Sequence, residues 1–261
     1  MFRLAILIAA LATTPALAQD GEGAPNFIAG GVAAIPESPG ADSYRFIPFA
    51  AGRVRLGSVV LQAEGPGLSA GFVNQNGIEA GAYFRYYGGR DDDTGDAVVD
   101  LLPEADNAIV TGGFVRYLAA EGLLNPHDRV YFSGRLGMDV TGEYSGVFWS
   151  GSAAYATPLS RSTLFIANLS VSGSPDDYAD ALFSVTPNGS AASGLPVYTA
   201  QSGVQDIGLT LFLDQLVTDD WSVTGIFGIS RLQGDFADSP IVTIRGDDMQ
   251  YFAGIGLGRR F

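Results

Sequence analysis

Glu79 and Arg85 lie in Ile78-Glu79-Ala80-Gly81-Ala82-Tyr83-Phe84-Arg85-Tyr86-Tyr87, where a period of two puts both charges on one face. A dry core would hold them at high cost unless they were paired, and a watery lumen would remove that cost. Arg116, Arg135 and Asp139 occupy similar positions in later alternating stretches. These five residues are the candidates to line an interior. They would act there either as ion pairs holding a wall together or as the groups that set the preference of a small pore.

Other reactive-looking residues do not converge on a reaction. The only histidine, His127, precedes Asp128 in Asn125-Pro126-His127-Asp128, but no nucleophile-elbow motif completes a triad, and the residue reads as part of a solvated turn. In Arg90-Asp91-Asp92-Asp93-Thr94-Gly95-Asp96, counted from Asp91, the glycine falls one place early for a calcium loop and the twelfth position is Leu102. A solvated acidic outer loop is expected. Asp176, Asp177 and Asp180 form no carboxylate pair whose pKa values would separate. The two sequons, at Asn168 and Asn188, carry no weight in a chain of this kind. No cofactor, metal or catalytic site is expected.

The elements that must position the charges are short alternating segments between Gly-, Pro- and Asp-rich connections. Twelve are expected, with ten as the next reading: 26–35, 45–54, 58–63, 67–73, 78–87, 108–118, 129–140, 146–156, 162–171, 206–216, 221–232 and 250–261. Connections after the second, fourth, eighth and tenth are short, and those after the first, fifth, ninth and eleventh are longer. That alternation suits a membrane barrel with one end in the periplasm. The connection at 119–128 is long for a periplasmic turn, and the one after the third strand is short for an outer loop. Ten residues rise about 33 Å, and tilt reduces this to the ~25 Å of a barrel's apolar band. Soluble sandwiches use shorter strands.

The last strand places Tyr251, Ala253, Ile255, Leu257, Arg259 and Phe261 on one face, with Phe252, Gly254, Gly256, Gly258 and Arg260 on the other. Alone it would suit a sandwich or a barrel. In a barrel the greasy face meets lipid, Arg259 snorkels at the rim, and the glycines face the lumen. Trp149, Trp221, Tyr251 and Phe261 fall near strand ends and are the candidates for an interfacial aromatic girdle.

Composition agrees. The 261 residues include 35 glycines, 11% aromatics, 16% charged residues and no cysteine. High glycine without a collagen period favours an all-β chain with many turns, and the lack of cysteine excludes disulfides and thiolate metal sites. The formal charge of −14 argues against a nucleic-acid partner. Arg3, the apolar run Leu4 to Leu11 and Ala16-Leu17-Ala18 have the order of a secretory signal peptide. Residues 1–18 are expected to be removed, leaving 19–261 as one antiparallel transmembrane β-barrel in the outer membrane, in contact with its lipids and lipopolysaccharide.

Phe183-Ser184-Val185-Thr186, Ser190-Ala191-Ala192-Ser193-Gly194-Leu195-Pro196-Val197-Tyr198 and Asp206-Ile207-Gly208-Leu209 resemble the signature of the MipA/OmpV outer-membrane family. So do Trp221-Ser222-Val223-Thr224-Gly225 and Ser230 to Val242. Upstream the likeness is looser: Gly30-Gly31-Val32, Asp42-Ser43-Tyr44-Arg45 before Pro48, and Gly77 to Arg90. The resemblance implies a monomeric outer-membrane barrel without a catalytic motif. It also implies a scaffold joining a lytic murein transglycosylase to a bifunctional penicillin-binding protein, while other relatives are linked to adhesion and antibiotic response. A pore, or adhesion through residues 172–205, stays open beside the scaffold.

Overall fold

The computed structural model describes residues 26–74 and 76–261. The expected signal peptide, 1–18, and the leader at 20–24 lie outside the described residues. The chain forms a closed antiparallel barrel of twelve strands: β1 (Phe27–Pro36), β2 (Tyr44–Leu56), β3 (Val59–Glu64), β4 (Gly67–Val73), β5 (Ile78–Tyr87), β6 (Ala108–Glu121), β7 (Arg129–Asp139), β8 (Phe148–Pro158), β9 (Thr163–Ser174), β10 (Gly203–Leu216), β11 (Trp221–Leu232) and β12 (Met249–Arg260). Each strand pairs with its chain neighbour, and β1 pairs with β12 to close the ring, from Phe27 opposite Arg260 to Ala34 opposite Ala253. Closure joins the first and last strands and lets backbone groups bond within the wall over most of its height, as a barrel in hydrocarbon requires.

The alternation is real at every level of the wall. On β12, Tyr251, Ile255, Leu257 and Phe261 are exposed outward, while Gly256 and Gly258 are buried inward. Those glycines serve packing. A Cβ on Gly256 would come within 2.9 Å of Phe49 Cζ, and one on Gly258 would collide with the Phe27 ring. The interior is filled there: Phe27, Phe49, Ala156, Leu164, Ile166, Phe212 and Ile226 join one buried apolar cluster.

Both ends of the barrel chain, Phe27 and Arg260, lie at the same end as the short connections 57–58, 74–77, 159–162 and 217–220, which marks it as the periplasmic end. The connection expected to be long, at 119–128, contracts to 122–128 because β6 continues to Glu121 through an irregularity between Leu118 and Ala120. The β3–β4 hairpin is short at the outer end. Residues 44–51 of β2 therefore pair with β1 on one side only, since β3 pairs with β2 from Gly52 to Leu56.

At the outer end, the stretch 172–205, which showed no pattern in sequence, extends β9 to Ser174 and then folds into α1 (Asp176–Phe183) and α2 (Pro187–Ser193). The last outer connection adds α3 (Gly234–Asp238) and α4 (Pro240–Thr243). Helices this short give no sustained periodicity to read. They cap the barrel: Tyr178, Ala179, Leu182, Phe183, Phe236 and Val242 pack with inward-facing Tyr83, Val110, Phe114 and Phe148. Tyr178 meets Phe148 edge-on at 5.3 Å between ring centroids, and Phe183 meets Phe236 at 5.1 Å.

Candidate functional site

The inward faces of β2, β3, β5, β6 and β7 carry charge. Glu79 is buried, and its Oε2 accepts from Arg53 Nη2 at 2.8 Å and Arg116 Nη1 at 3.0 Å. Arg116 Nη2 reaches Glu64 Oε1 at 3.0 Å, and Arg135 pairs with the other oxygen of Glu64. Gln62 Oε1 accepts from Arg53 Nη1 at 2.5 Å and from Arg116 Nη1 at 3.2 Å, and its amide donates to Glu64. The geometry follows from register: Glu79 and Arg116 are direct partners across β5 and β6, and Arg135 stands opposite Phe114, next but one to Arg116. Of the two expected ways to relieve Glu79, pairing or a watery lumen, the structure uses pairing, since charges this deep are tolerated only when paired.

The predicted residues thus separate. Glu79, Arg116 and Arg135 belong to one network. Arg85 faces inward nearby, 5.8 Å from the centroid of the Tyr87 ring, but makes no hydrogen bond or ion pair to protein among the described residues. Asp139 is in phase with the interior but sits at the last position of β7. Its carboxylate accepts from the amides of Thr141, Glu143 and Tyr144 at 2.8 to 3.0 Å and so shapes the following loop rather than joining the network. A strand-end carboxylate finds free amides in the next turn before it finds a distant arginine.

Arg53, Gln62 and Glu64 were missed in the sequence. The third strand was read as ending at Ala63, which cut off Glu64, although Val60, Gln62 and Glu64 alternate inward on β3. A second pair was missed with them: Asp214 Oδ2 accepts from Arg260 Nη2 at 2.7 Å.

Above the network lies a cavity of about 320 Å³, floored by Glu64 and Arg135 and roofed by Tyr178 of α1. Its far wall is hydroxyl-rich, with Ser133, Ser150, Ser152, Ser170 and Ser172 on β7 to β9.

The four aromatics lie at both rims. Trp149 and Tyr251 stand at the outer ends of β8 and β12, and Trp221 and Phe261 at the periplasmic end, where the Arg259 guanidinium lies 5.6 Å over the Trp221 ring.

In the outer connections, Arg90 departs from the expected solvated loop: it is buried, and Nη1 donates to Leu182 O at 2.8 Å and Nη2 to Pro103 O at 2.9 Å. Burial pushes its pKa down. Asp96 pairs with Arg245 at 2.6 Å. Burial alone would raise the Asp96 pKa, but the Arg245 hydrogen bond and the amides of Val99 and Val98 outweigh it and hold the carboxyl below the usual range. Asp176 and Asp177, in the first turn of α1, accept from Ser202 N at 2.6 Å and Ser145 N at 3.0 Å. Asp180 is exposed.

At the periplasmic end, the turn 122–128 is closed on Asp128, which is fully buried and accepts from the amides of Leu123 and Leu124 at 2.7 Å and from Asn125 at 3.1 Å. Tyr155 Oη donates to the same carboxylate at 2.9 Å, and Asn125 Nδ2 donates to Thr157 Oγ1 at 2.6 Å. Leu123 and Leu124 project from this turn, 61% and 83% exposed. His127 lies beside them, its amide donating to Asn125 Oδ1 at 2.9 Å.

Several solved barrels overlap with the fold. The toluene transporter TbuX of Ralstonia pickettii is 11% identical, with 92% of this chain and 90% of that one covered and a TM-score of 0.39. The NalP translocator domain of Neisseria meningitidis is 13% identical, with 93% and 90% covered and a TM-score of 0.39. DcaP of Acinetobacter baumannii is 7% identical, with 91% and 96% covered and a TM-score of 0.37. No curated protein matches the chain in sequence. The family profile described as MltA-interacting protein MipA matches residues 28–261, nearly the whole barrel. The segments that carried the resemblance build the cap: Ser239 Oγ donates to Phe183 O at 2.6 Å, Ser184 Oγ accepts from Ala200 N at 2.8 Å, and Val185 bridges Tyr198. The chain is an outer-membrane β-barrel and belongs to the MipA family.

Proposed function

We propose that this barrel is a non-enzymatic scaffold whose periplasmic face engages a lytic murein transglycosylase, and through it a bifunctional penicillin-binding protein. The observation that carries this reading is the 122–128 turn. Two leucines side by side at its tip are exposed while the backbone beneath them is pinned by one buried carboxylate. An apolar tip that is already ordered loses little entropy on docking, which favours affinity from a small surface. The family's description as MltA-interacting supplies the class of the first partner. The filled interior fits a scaffold better than an open pore, because Phe27, Phe49, Ile166 and Phe212 occupy the space a channel would need. The aromatics at the two rims act as the membrane girdle, with lipid and lipopolysaccharide against the outward faces. Chemical crosslinking in cells followed by purification of the barrel tests the proposal: recovery of murein enzymes supports it, and recovery of lipopolysaccharide and assembly factors alone contradicts it.

A further inference from the structure

One cation lining the cavity under α1, Arg85, has no direct partner. Around it and in its floor, Arg45 is 3.6 Å from Glu37, Arg53 and Arg116 share Glu79, and Arg135 pairs with Glu64. The remaining wall carboxylate, Asp206, takes the Ser172 hydroxyl. The lining itself holds three arginines, Arg45, Arg85 and Arg135, and three carboxylates, Glu37, Glu64 and Asp206; Arg85 is the arginine among them with no hydrogen bond or ion pair to protein among the described residues and acts on Asp206 and Glu64 only through longer-range attraction. A guanidinium inside a barrel with no hydrogen-bonded partner is expensive, and an anion bound against it removes that cost. The side chains of Ser150, Asn168 and Ser230 also line the cavity and have no protein hydrogen-bond partner among the described residues. Tyr87, Tyr178 and Phe252 add aromatic surface.

We propose that this cavity binds a small organic monoanion. Its carboxylate or phosphate is held by Arg85, its polar edge by Ser150, Asn168 and Ser230, and its apolar part by the three aromatic rings. The volume, about 320 Å³, is at the lower end of small-molecule sites. The proposed entry is beside the β3–β4 hairpin. The cavity lies level with residues 44–51 of β2, which pair with β1 but not with β3 above the β3–β4 hairpin, and is lined by Pro39 and Arg45 on one flank and Gly88 and Gly89 on the other. This proposal is independent of the scaffold reading.

The test uses the full barrel refolded into phosphatidylcholine vesicles, with folding checked by its heat-modifiable migration. Benzoate is the probe and benzamide its neutral counterpart, with binding read by saturation-transfer NMR. Benzoate is expected to bind, and benzamide and the Arg85→Gln barrel to show binding at least about tenfold weaker. Gly88→Phe keeps Arg85 but places a ring at the entrance, where a Cβ meets nothing closer than Tyr86 Cε1 at 3.9 Å, and is expected to slow or abolish binding. Vesicles containing lipopolysaccharide separate two sources of the anion. Displacement of benzoate assigns the site to a lipid phosphate, and unchanged binding assigns it to a diffusing solute. No benzoate binding and no Arg85-dependent lipopolysaccharide effect, or binding equal in wild type and both variants, overturns the proposal.

Discussion

Asp214 of β10 and Arg260 of β12 meet at 2.7 Å inside the barrel, across the intervening β11, whose Thr224 Oγ1 donates to the same carboxylate at 2.7 Å. One buried carboxylate thus ties three successive strands next to the seam that closes the barrel. Arg260→Ala leaves Asp214, with its side chain only 3% exposed, charged and unpaired. The expected loss is about 3 kcal/mol, read as a lower urea midpoint for unfolding from vesicles. Adding Asp214→Asn should recover part of it, because the orphaned charge is then gone.

Arg116 is the hub of the larger network, bonded at once to Glu64, Glu79 and Gln62. Arg116→Met should destabilise the barrel by about 3–5 kcal/mol. Arg116→Met with Glu79→Gln should be less harmful than the single change. A double variant no better than the single one would mean that packing around Arg116, rather than charge, carries its effect.

The Asp96–Arg245 pair joins two outer connections and makes them sensitive to pH. Because the folded Asp96 pKa lies below its ordinary value, the pair's contribution is present at neutral pH and is lost as pH falls through that lowered value. Hydrogen exchange at the Val98 and Val99 amides, which donate to Asp96, should stay slow near neutrality and accelerate below the usual carboxylate range, after correction for intrinsic rates. Asp96→Asn should show fast exchange at every pH.

Planar-bilayer recording of the folded wild-type barrel should show no conductance steps. Deleting 176–201 removes α1 and α2 but leaves Phe27, Phe49, Ile166, Phe212 and Ile226 filling the interior, so that variant should also be silent. Steps in the deletion variant alone would make the helical cap the only seal.

The twelve strands were legible because each carries a lipid face that alternates over its length; Ile255 and Leu257 outward against Gly256 and Gly258 inward is a repeat that turn residues cannot mimic. Glu79, Arg116 and Arg135 were legible by phase, since a charge on the inward face of such a strand must have a partner or water. Their partners were not. Glu64 is the last residue of a six-residue strand, where alternation has almost no length in which to show itself. The cap was invisible for a related reason: in α1 the buried residues are Tyr178, Ala179, Leu182 and Phe183, too few turns to distinguish a helix from a loop. Asp139 was misread because phase says which way a side chain points but not whether a nearer amide claims it.

The scaffold proposal is tested most directly by placing a photo-crosslinking amino acid at Leu124, with Leu101 on the outer side as control. Crosslinks from position 124 to a lytic murein transglycosylase, absent from position 101, are predicted. Crosslinks from 124 only to lipid and assembly factors, with the turn intact, would contradict it.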